Sequence, residues 1–409
     1  MLESLKLVGI LALIVFLLRL RWNLGLVLVV ASAVTGLLFA PVPVDWIAVG
    51  QGLALDALTA AIDPLTLRLV AIVLLITFLG ELLRSTLQLE GLIRSLTDLF
   101  VDRRWLLALL PMLIGLLPMV GGAIFSAPMV EEAGRGLNLN RERQTFINYW
   151  FRHTLESVFP LYPSLILAAG LLNVPVRRMA ATQWPLFLAA LAGGILFGLA
   201  GVRPVRSPGE GRPGRRETLM LLFKSIWPIV LVLVLALVLG LDLILSLLIT
   251  IAALVVVRRL RPRRLWELAR HMPLGVAPII VGAMIFRQVL EASGAVEVAS
   301  ASLGNLGIPL PLIVFLAPFL SGLLTGLLTA AFAIGFPIGL PLCGPDPVGG
   351  GWGLLAYAGG LAGILLSPMH LCLVLTRVYF KAEWGGIYRR LMPAVLLLAA
   401  TAAMVFLVR

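Results

Sequence analysis

The chain has 409 residues, of which 60% are hydrophobic and 13% are charged, whereas a soluble globular domain carries about a quarter charged residues. Apolar runs of about twenty residues recur along it, which excludes a soluble protein and predicts an all-α polytopic membrane protein with the lipid bilayer as partner. The formal net charge of +12 would indicate nucleic acid in a soluble protein, but here the basic residues fall in loops and are expected to set the topology, so we expect no nucleic-acid partner.

The first half of the chain, residues 1–202, is predicted to hold five spans. An acidic connector follows the second span, and its 47–62 part is expected to lie in the membrane interface. An amphipathic interfacial helix is predicted over 87–101, where apolar and charged residues alternate at helical spacing. The predicted spans are 5–20, 24–40, 65–83, 148–172 and 180–201.

An interrupted apolar stretch, 105–134, lies between the third and fourth spans. Pro118, Gly121 and Gly122 break it. Non-helical backbone is tolerated inside a membrane only where it is buried in protein or lines a wet cavity. The stretch is therefore predicted to form a re-entrant hairpin rather than a straight span.

The fourth span, 148–172, is predicted to be a broken helix because Pro160 and Pro163 interrupt it. Two ionisable residues, His153 and Glu156, precede the break and share a helical face. Ionisable groups inside a span are costly and indicate function.

A linker rich in Pro, Gly and Arg, residues 203–217, divides the chain nearly in half. The second half, 218–409, repeats the plan, with a weak amphipathic piece over 296–306, a second interrupted stretch over 310–342 and a second broken helix over 353–379, which Pro368 interrupts. Its predicted spans are 219–239, 241–257, 274–290, 353–379 and 392–407.

The order of these segments predicts two inverted repeats, with about ten transmembrane helices and two re-entrant hairpins in all. An alignment of the halves brings Gly115 onto Gly322 and Pro160 near Pro368. Five spans per half is an odd number, so the halves are expected to be inverted. The side richer in arginine is predicted to be the cytoplasm of a plasma (inner) membrane. Both termini would then lie outside, the first hairpin would enter from the cytoplasm and the second from outside.

Hairpin tips and helix breaks are where a transporter of this plan is expected to bind its substrate. Glycines at a tip leave amides pointing into the cavity, and a helix N-terminus there suits an anion. Alternatively, the glycines only permit close packing and the hydroxyls only bond to the previous turn. The candidate substrate-binding residues are Gly121, Gly122, Ser126, Ser157, Thr325, Thr329, Ser367 and His370.

The candidate ion-coupling residues are His153 and Glu156. His153 titrates near neutral pH, and Glu156 offers a carboxylate to a proton or a sodium ion. The alternative is an ion pair that anchors the end of the helix. Cys343 and Cys372 lie in apolar surroundings and indicate neither a disulfide nor a metal site, so no cofactor beyond Na⁺ or H⁺ is expected. No enzyme motif occurs, and the protein is not expected to be an enzyme.

Three runs, PMVGGAIFSAPMV, NYWFRHTLESVFPLYPSLIL and SPMHLCLVLTRVYF, resemble an uncharacterised family of bacterial and archaeal integral membrane proteins, a domain-of-unknown-function family. That family is grouped with the ion transporter superfamily, which includes divalent-anion sodium symporters and gluconate and citrate permeases. The resemblance implies inverted repeats, a homodimeric scaffold and an elevator-like motion, with substrate and sodium at the hairpin tips and helix breaks. The Ser-Asn-Thr triplet of the dicarboxylate members does not occur here.

The sequence therefore predicts a secondary active transporter that moves a small organic anion together with sodium or protons. A cation/proton antiporter that uses His153 and Glu156 is one alternative. A membrane subunit or scaffold that does not transport is the other.

Overall fold

A computed structural model gives the fold, and it describes residues 2–20, 22–40, 45–100, 102–116, 122–204, 214–295, 309–344 and 346–408. Within these residues the chain is built from α-helices, and no strand is present. Polar side chains start several of them; for example, Asp63 accepts hydrogen bonds from the backbone amides of Leu65 and Thr66, and Asn140 accepts one from that of Arg143.

The helices of the first half are α1 Leu2–Arg19, α2 Leu24–Leu38, α3 Trp46–Ile62, α4 Pro64–Ser85, α5 Gln88–Leu99, α6 Arg103–Gly115, α7 Gly122–Gly134, α8 Arg141–His153, α9 Pro163–Leu171, α10 Val176–Thr182 and α11 Trp184–Gly194, which continues as a π-helix over Ile195–Leu199. Those of the second half are α12 Arg215–Leu233, with a π-helix over Val234–Val238, α13 Leu243–Val257, α14 Pro262–Arg270, α15 Val276–Ala292, α16 Leu310–Thr325, α17 Leu328–Gly339 with a 3₁₀ turn over Leu340–Cys343, α18 Trp352–Leu366, α19 Leu371–Phe380 and α20 Trp384–Val408.

Four helical stretches of the described residues are long and apolar enough to cross a membrane: Pro64–Ser85, Arg215–Val238, Trp352–Phe380 and Trp384–Val408. A fifth candidate is the pair α9 and α10, which is bent by 105°. Several other apolar helices are shorter than a full crossing. The protein is thus all-α with membrane-like helices, while the count of ten spans and the inverted repeats stay predictions.

Some predicted boundaries differ from the observed ones. The fourth predicted span begins with a helix that starts earlier, at Arg141, because Asn140 caps it. The fifth predicted span, 180–201, is divided between α10 and α11, since Pro185 lies in the first turn of α11 and cannot continue a helix. The amphipathic piece predicted over 296–306 lies outside the described residues.

The two interrupted stretches each fold as two helices that pack against each other, α6 with α7 and α16 with α17. Small residues let α16 lie along α18. A Cβ atom on Gly359 would overlap the carbonyl oxygen of Phe315, and one on Gly363 would overlap that of Phe319. Such spacing of glycines four residues apart brings two apolar helices into backbone contact.

Candidate functional site

Two helix breaks meet in the interior. The first break, residues 154–162, separates α8 from α9, and the second, 367–370, separates α18 from α19. The end of α8 packs against α7 and α19, while α9 packs against α17. We call the region where these breaks and the two helix pairs α6–α7 and α16–α17 meet the junction. It is buried among helices, as irregular backbone in a membrane protein must be.

A pair of histidines joins the two breaks. His153 ends α8 and His370 precedes the first residue of α19, and their Nε2 atoms lie 3.2 Å apart. The rings meet edge to face, with 4.8 Å between centroids, and the ring of Tyr149 packs on both. Both histidines are buried. The two ionisable groups predicted in separate halves of the chain therefore form one unit.

The tip between α16 and α17 contacts the second break through hydrogen bonds. His370 Nδ1 lies 2.6 Å from the carbonyl oxygen of Gly326, and Ser367 Oγ donates to the carbonyl of Leu323 at 2.6 Å. Gly326 has φ of 68°, and a Cβ there would lie 2.7 Å from the backbone nitrogen of His370. Only glycine fits this turn without strain. The tip therefore sets the orientation of the His370 ring.

The first break carries the acidic group of the junction. Glu156 Oε1 lies 2.9 Å from His153 Nδ1, and the hydroxyl of Tyr357 in α18 donates to the backbone carbonyl of Glu156 at 2.7 Å. Glu156 Oε2 and the hydroxyl of Ser157 are buried and have no hydrogen-bond partner among the described residues. Buried polar atoms are nearly always bonded, so these two oxygens are candidates to bind a ligand or an ion.

The N-terminus of α7 faces the end of α8. A Cβ on Gly122 would lie against the guanidinium group of Arg152, which is itself buried. At the end of α6, the hydroxyl of Tyr162 donates to the carbonyl of Gly115. The junction thus has a cationic side chain beside a helix N-terminus, where partial positive charge is also concentrated.

Asn148 connects three elements. Its Nδ2 donates to the carbonyl of Ala123 in α7 at 3.2 Å and to Thr376 Oγ1 in α19 at 3.0 Å. Asn148 Oδ1 is buried without a partner among the described residues. This side chain therefore holds α7, α8 and α19 together at the junction.

Of the predicted site residues, the structure brings Gly122, His153, Glu156, Ser157, Ser367 and His370 to the junction, and Gly121 and Pro118 lie outside the described residues. Ser126 is buried in α7 and bonds weakly to its own helix, with Oγ 3.4 Å from the Gly122 carbonyl. Thr325 Oγ1 donates to Ser321 one turn back at 2.7 Å and accepts from the Leu327 amide at 3.3 Å. Its hydroxyl thus closes the turn at the tip.

Thr329 is the second residue of α17 and is half-buried. The prolines of the first break behave as predicted from their chemistry: Pro163 occupies the first turn of α9, where no amide is needed, and Pro160 is buried in the irregular segment. Pro368 lies in the second break and is exposed.

Sequence reasoning missed four residues of the junction. Asn148, Tyr149 and Tyr357 make the hydrogen bonds and ring contacts given above, and Cys372 lies beside the histidine pair. The local signal available for Asn148, Tyr149 and Cys372 is that each lies within five residues of one of the two histidines, whereas Tyr357 lies ten residues before the second break and has no such signal. The sequence predicts only apolar surroundings for Cys372, without a metal site.

A cavity of about 600 Å³ reaches the first break from the surface. Its lining includes Pro160 and Asn173, together with Arg177 and the ion pair of Arg68 and Asp242. The cavity therefore opens the irregular segment to the outside of the bundle at Pro160.

Apolar helices packed around an enclosed polar junction define the class of the protein, a helical membrane protein. Within that class the chain belongs to the family described as "Protein of unknown function (DUF401)", whose model matches residues 3–409. A comparison with curated proteins gave no match.

Proposed function

We propose that this protein is a secondary active transporter of a small organic anion, coupled to sodium or protons, in the plasma (inner) membrane. The observation that carries the proposal is the junction, where two helix breaks and two helix pairs enclose buried polar atoms that have no partner among the described residues. Interrupted helices in both halves of a chain are the usual location of a transporter's binding site.

The charge at the junction favours an anion. Arg152 lies there as a permanent cation, and Glu156 is the one carboxylate among the described residues of the two breaks. Four helices, α7, α9, α17 and α19, also begin at the tips or breaks, and their N-termini add partial positive charge. A dianion or monoanion would meet amides, hydroxyls and a guanidinium group, which is the donor set that carboxylates prefer.

The proposal includes the finer architecture. Each half supplies one hairpin and one helix–break–helix unit, which supports two inverted repeats of residues 1–202 and 218–409 around the linker 203–217. In this scheme both termini lie outside, the chain forms a homodimer, and the units that carry the junction move as one body across the bilayer. The relation to the ion transporter superfamily belongs to the same proposal.

A cation/proton antiporter is the second candidate. The observation that favours it is Glu156, whose Oε2 is buried without a partner among the described residues while its Oε1 contacts His153. Such a carboxylate is a ligand for a hard cation, and Ser157 beside it offers another oxygen. A flux of sodium that depends on pH and needs no anion would support this candidate against the first.

A thermal-shift screen of the purified protein against small organic anions, with and without sodium, tests the proposal. We expect a subset of anions to raise the unfolding temperature, because a ligand that binds only the folded state stabilises it. Ser157→Ala should reduce that shift, whereas Ser246→Ala should not, since Ser246 is a buried serine of α13 whose hydroxyl donates to the carbonyl of Asp242, the residue that caps this helix. A shift equal in both variants would remove Ser157 from the site.

A further inference from the structure

The histidine pair has a third neighbour. Cys372 lies one residue after the start of α19, and its Sγ together with one ring nitrogen of His153 and one of His370 forms a group whose atoms all lie within 4.8 Å of one another. The three residues come from the two breaks and are enclosed: both histidines are buried and Cys372 is half-buried. Neither the family match nor the proposed transport function gives Cys372 a role or places a metal ion in this group.

A hydrogen bond at His370 and an ion-pair contact at His153 direct both Nε2 atoms inward. His370 Nδ1 is 2.6 Å from a carbonyl oxygen, which can only accept, so the proton of a neutral ring is on Nδ1. His153 Nδ1 faces the Glu156 carboxylate at 2.9 Å, with the same consequence. The two Nε2 lone pairs then point at each other across 3.2 Å. That contact repels unless a cation, either a proton or a metal ion, lies between them.

In histidines that bind metals, the ring nitrogen that does not bind the metal has partners of this kind. A ligating imidazole usually donates its other N–H to a carboxylate or a backbone carbonyl, which fixes the tautomer and makes the ligating nitrogen more basic. Here Glu156 supplies the carboxylate for His153 and Gly326 supplies the carbonyl for His370. One partner comes from the first break and the other from the tip between α16 and α17.

The distances between the ligand atoms suit an ion with tetrahedral coordination. Bonds of about 2.0–2.1 Å to nitrogen and 2.3 Å to sulfur place two ligand atoms roughly 3.3–3.6 Å apart. The histidine nitrogens, 3.2 Å apart, lie just below this spacing, and Cys372 Sγ, within 4.8 Å of a nitrogen of each ring, has to approach by at most about 1 Å. Two imidazoles and one thiolate suit a borderline or soft ion such as Zn²⁺ rather than Mg²⁺ or Ca²⁺, which require oxygen ligands.

We propose that His153, His370 and Cys372 form a binding site for a transition-metal ion of the zinc class. The ion takes both Nε2 atoms and the Cys372 thiolate as ligands, while the thiol proton leaves to solvent. A fourth position stays open to water or to a carboxylate. The ion would join the break after α8 to the break before α19, and so connect the two halves of the chain.

Cobalt(II) titration of the tag-free, chelator-treated protein in detergent tests the proposal. We expect one equivalent of Co²⁺ to produce a thiolate charge-transfer band and the visible bands of a tetrahedral site, and Zn²⁺ to displace it. Cys372→Ser should abolish the charge-transfer band. Cys343→Ser and His271→Ala are the matched controls, since the free thiol and the imidazole that they remove lie outside the cluster, and both should leave the spectrum unchanged. Glu156→Gln should weaken the affinity about 10–100-fold, as loss of such an outer partner does.

A spectrum without a thiolate band, or one that Cys372→Ser leaves unchanged, would overturn the proposal. If Cys372→Ser does not fold, the rate of alkylation of Cys372 in the Cys343→Ser protein supplies the second measurement. Zn²⁺ should slow this alkylation, and Mg²⁺ should not. Equal alkylation rates with Zn²⁺ and with Mg²⁺ would contradict the site. These measurements use no transport assay. If the protein binds Co²⁺ in this way but transports no anion, the proposed metal site stands and the proposed transport function is contradicted.

Discussion

The Nε2 atoms of His153 and His370 lie 3.2 Å apart although 217 residues separate them in the chain. This contact joins the two helix breaks directly. It turns two separate candidate residues, one predicted for ion coupling and one for substrate binding, into a single pair. A structural change at either break is therefore expected to affect the other break.

Asn148→Ala should destabilise the fold by about 1–3 kcal/mol, since it leaves the buried hydroxyl of Thr376 without its donor. Thr376→Val removes the other partner. A double-mutant cycle of the two, followed by unfolding in a denaturing detergent, should give a coupling energy near the roughly 0.6 kcal/mol that is the average for hydrogen bonds inside membranes. Strict additivity of the two single changes would show that the bond contributes nothing.

Gly359→Ala should destabilise the protein by about 1–3 kcal/mol, because the added Cβ overlaps the backbone oxygen of Phe315 and the two helices must separate. Gly80→Ala in α4 is the control: nothing lies within 4 Å of a Cβ there, and alanine favours a helix over glycine. The same unfolding titration measures both. Equal stability of the two variants would mean that α16 and α18 adjust without cost.

Gly122→Ala should leave the fold largely intact and weaken anion binding. The new Cβ meets the end of a flexible side chain, the Arg152 guanidinium, which has to move away from the N-terminus of α7. A charge-assisted hydrogen bond is worth about 1.5–3 kcal/mol, so its loss corresponds to at least about a tenfold fall in affinity. The anion-dependent thermal shift measures this. An unchanged affinity in a folded Gly122→Ala protein would exclude Arg152 from the anion site.

The loop before α18 should make stability depend on pH in acid. The Gly349 amide, and also Arg178, hold the pKa of Asp346 below its ordinary value of 3.8. A carboxylate with a lowered folded pKa stabilises the native state above its unfolded pKa, and this contribution is lost as the pH falls through the folded pKa. Asp346→Asn should therefore lower the unfolding temperature slightly at pH 7, and the difference from the parent protein should vanish below the lowered pKa. A difference that is the same at every pH would contradict this.

Much of the fold follows from local patterns in the sequence. Apolar runs predicted the membrane-like helices, and the prolines predicted an interruption that α9 leaves at Pro163, whereas α8 already ends at His153, seven residues before Pro160. The glycine at the second tip, Gly326, was not singled out, although its left-handed conformation is a local property. The predicted hairpin residues Ser126 and Thr325 proved to bond within their own segments.

The composition of the junction was harder to predict because it depends on contacts between distant segments. Nothing near Cys372 in the sequence shows that His153 lies beside it, since the two residues are brought together by the packing of α8 on α19. Tyr357 likewise reaches Glu156 only through the position of α18. Predicting such contacts requires the tertiary arrangement of the helices, whereas helix breaks and caps can be predicted from the local sequence.

Uptake of radiolabelled organic anions into proteoliposomes, driven by a sodium or proton gradient, tests the central claim that the junction is a transport site. The account predicts saturable uptake that requires the gradient, is impaired by Ser157→Ala and is retained by Ser246→Ala. A pH-dependent sodium flux that needs no anion would contradict anion transport and favour the antiporter. Absence of any flux, together with a stable partner that copurifies, would contradict transport itself and favour a membrane subunit.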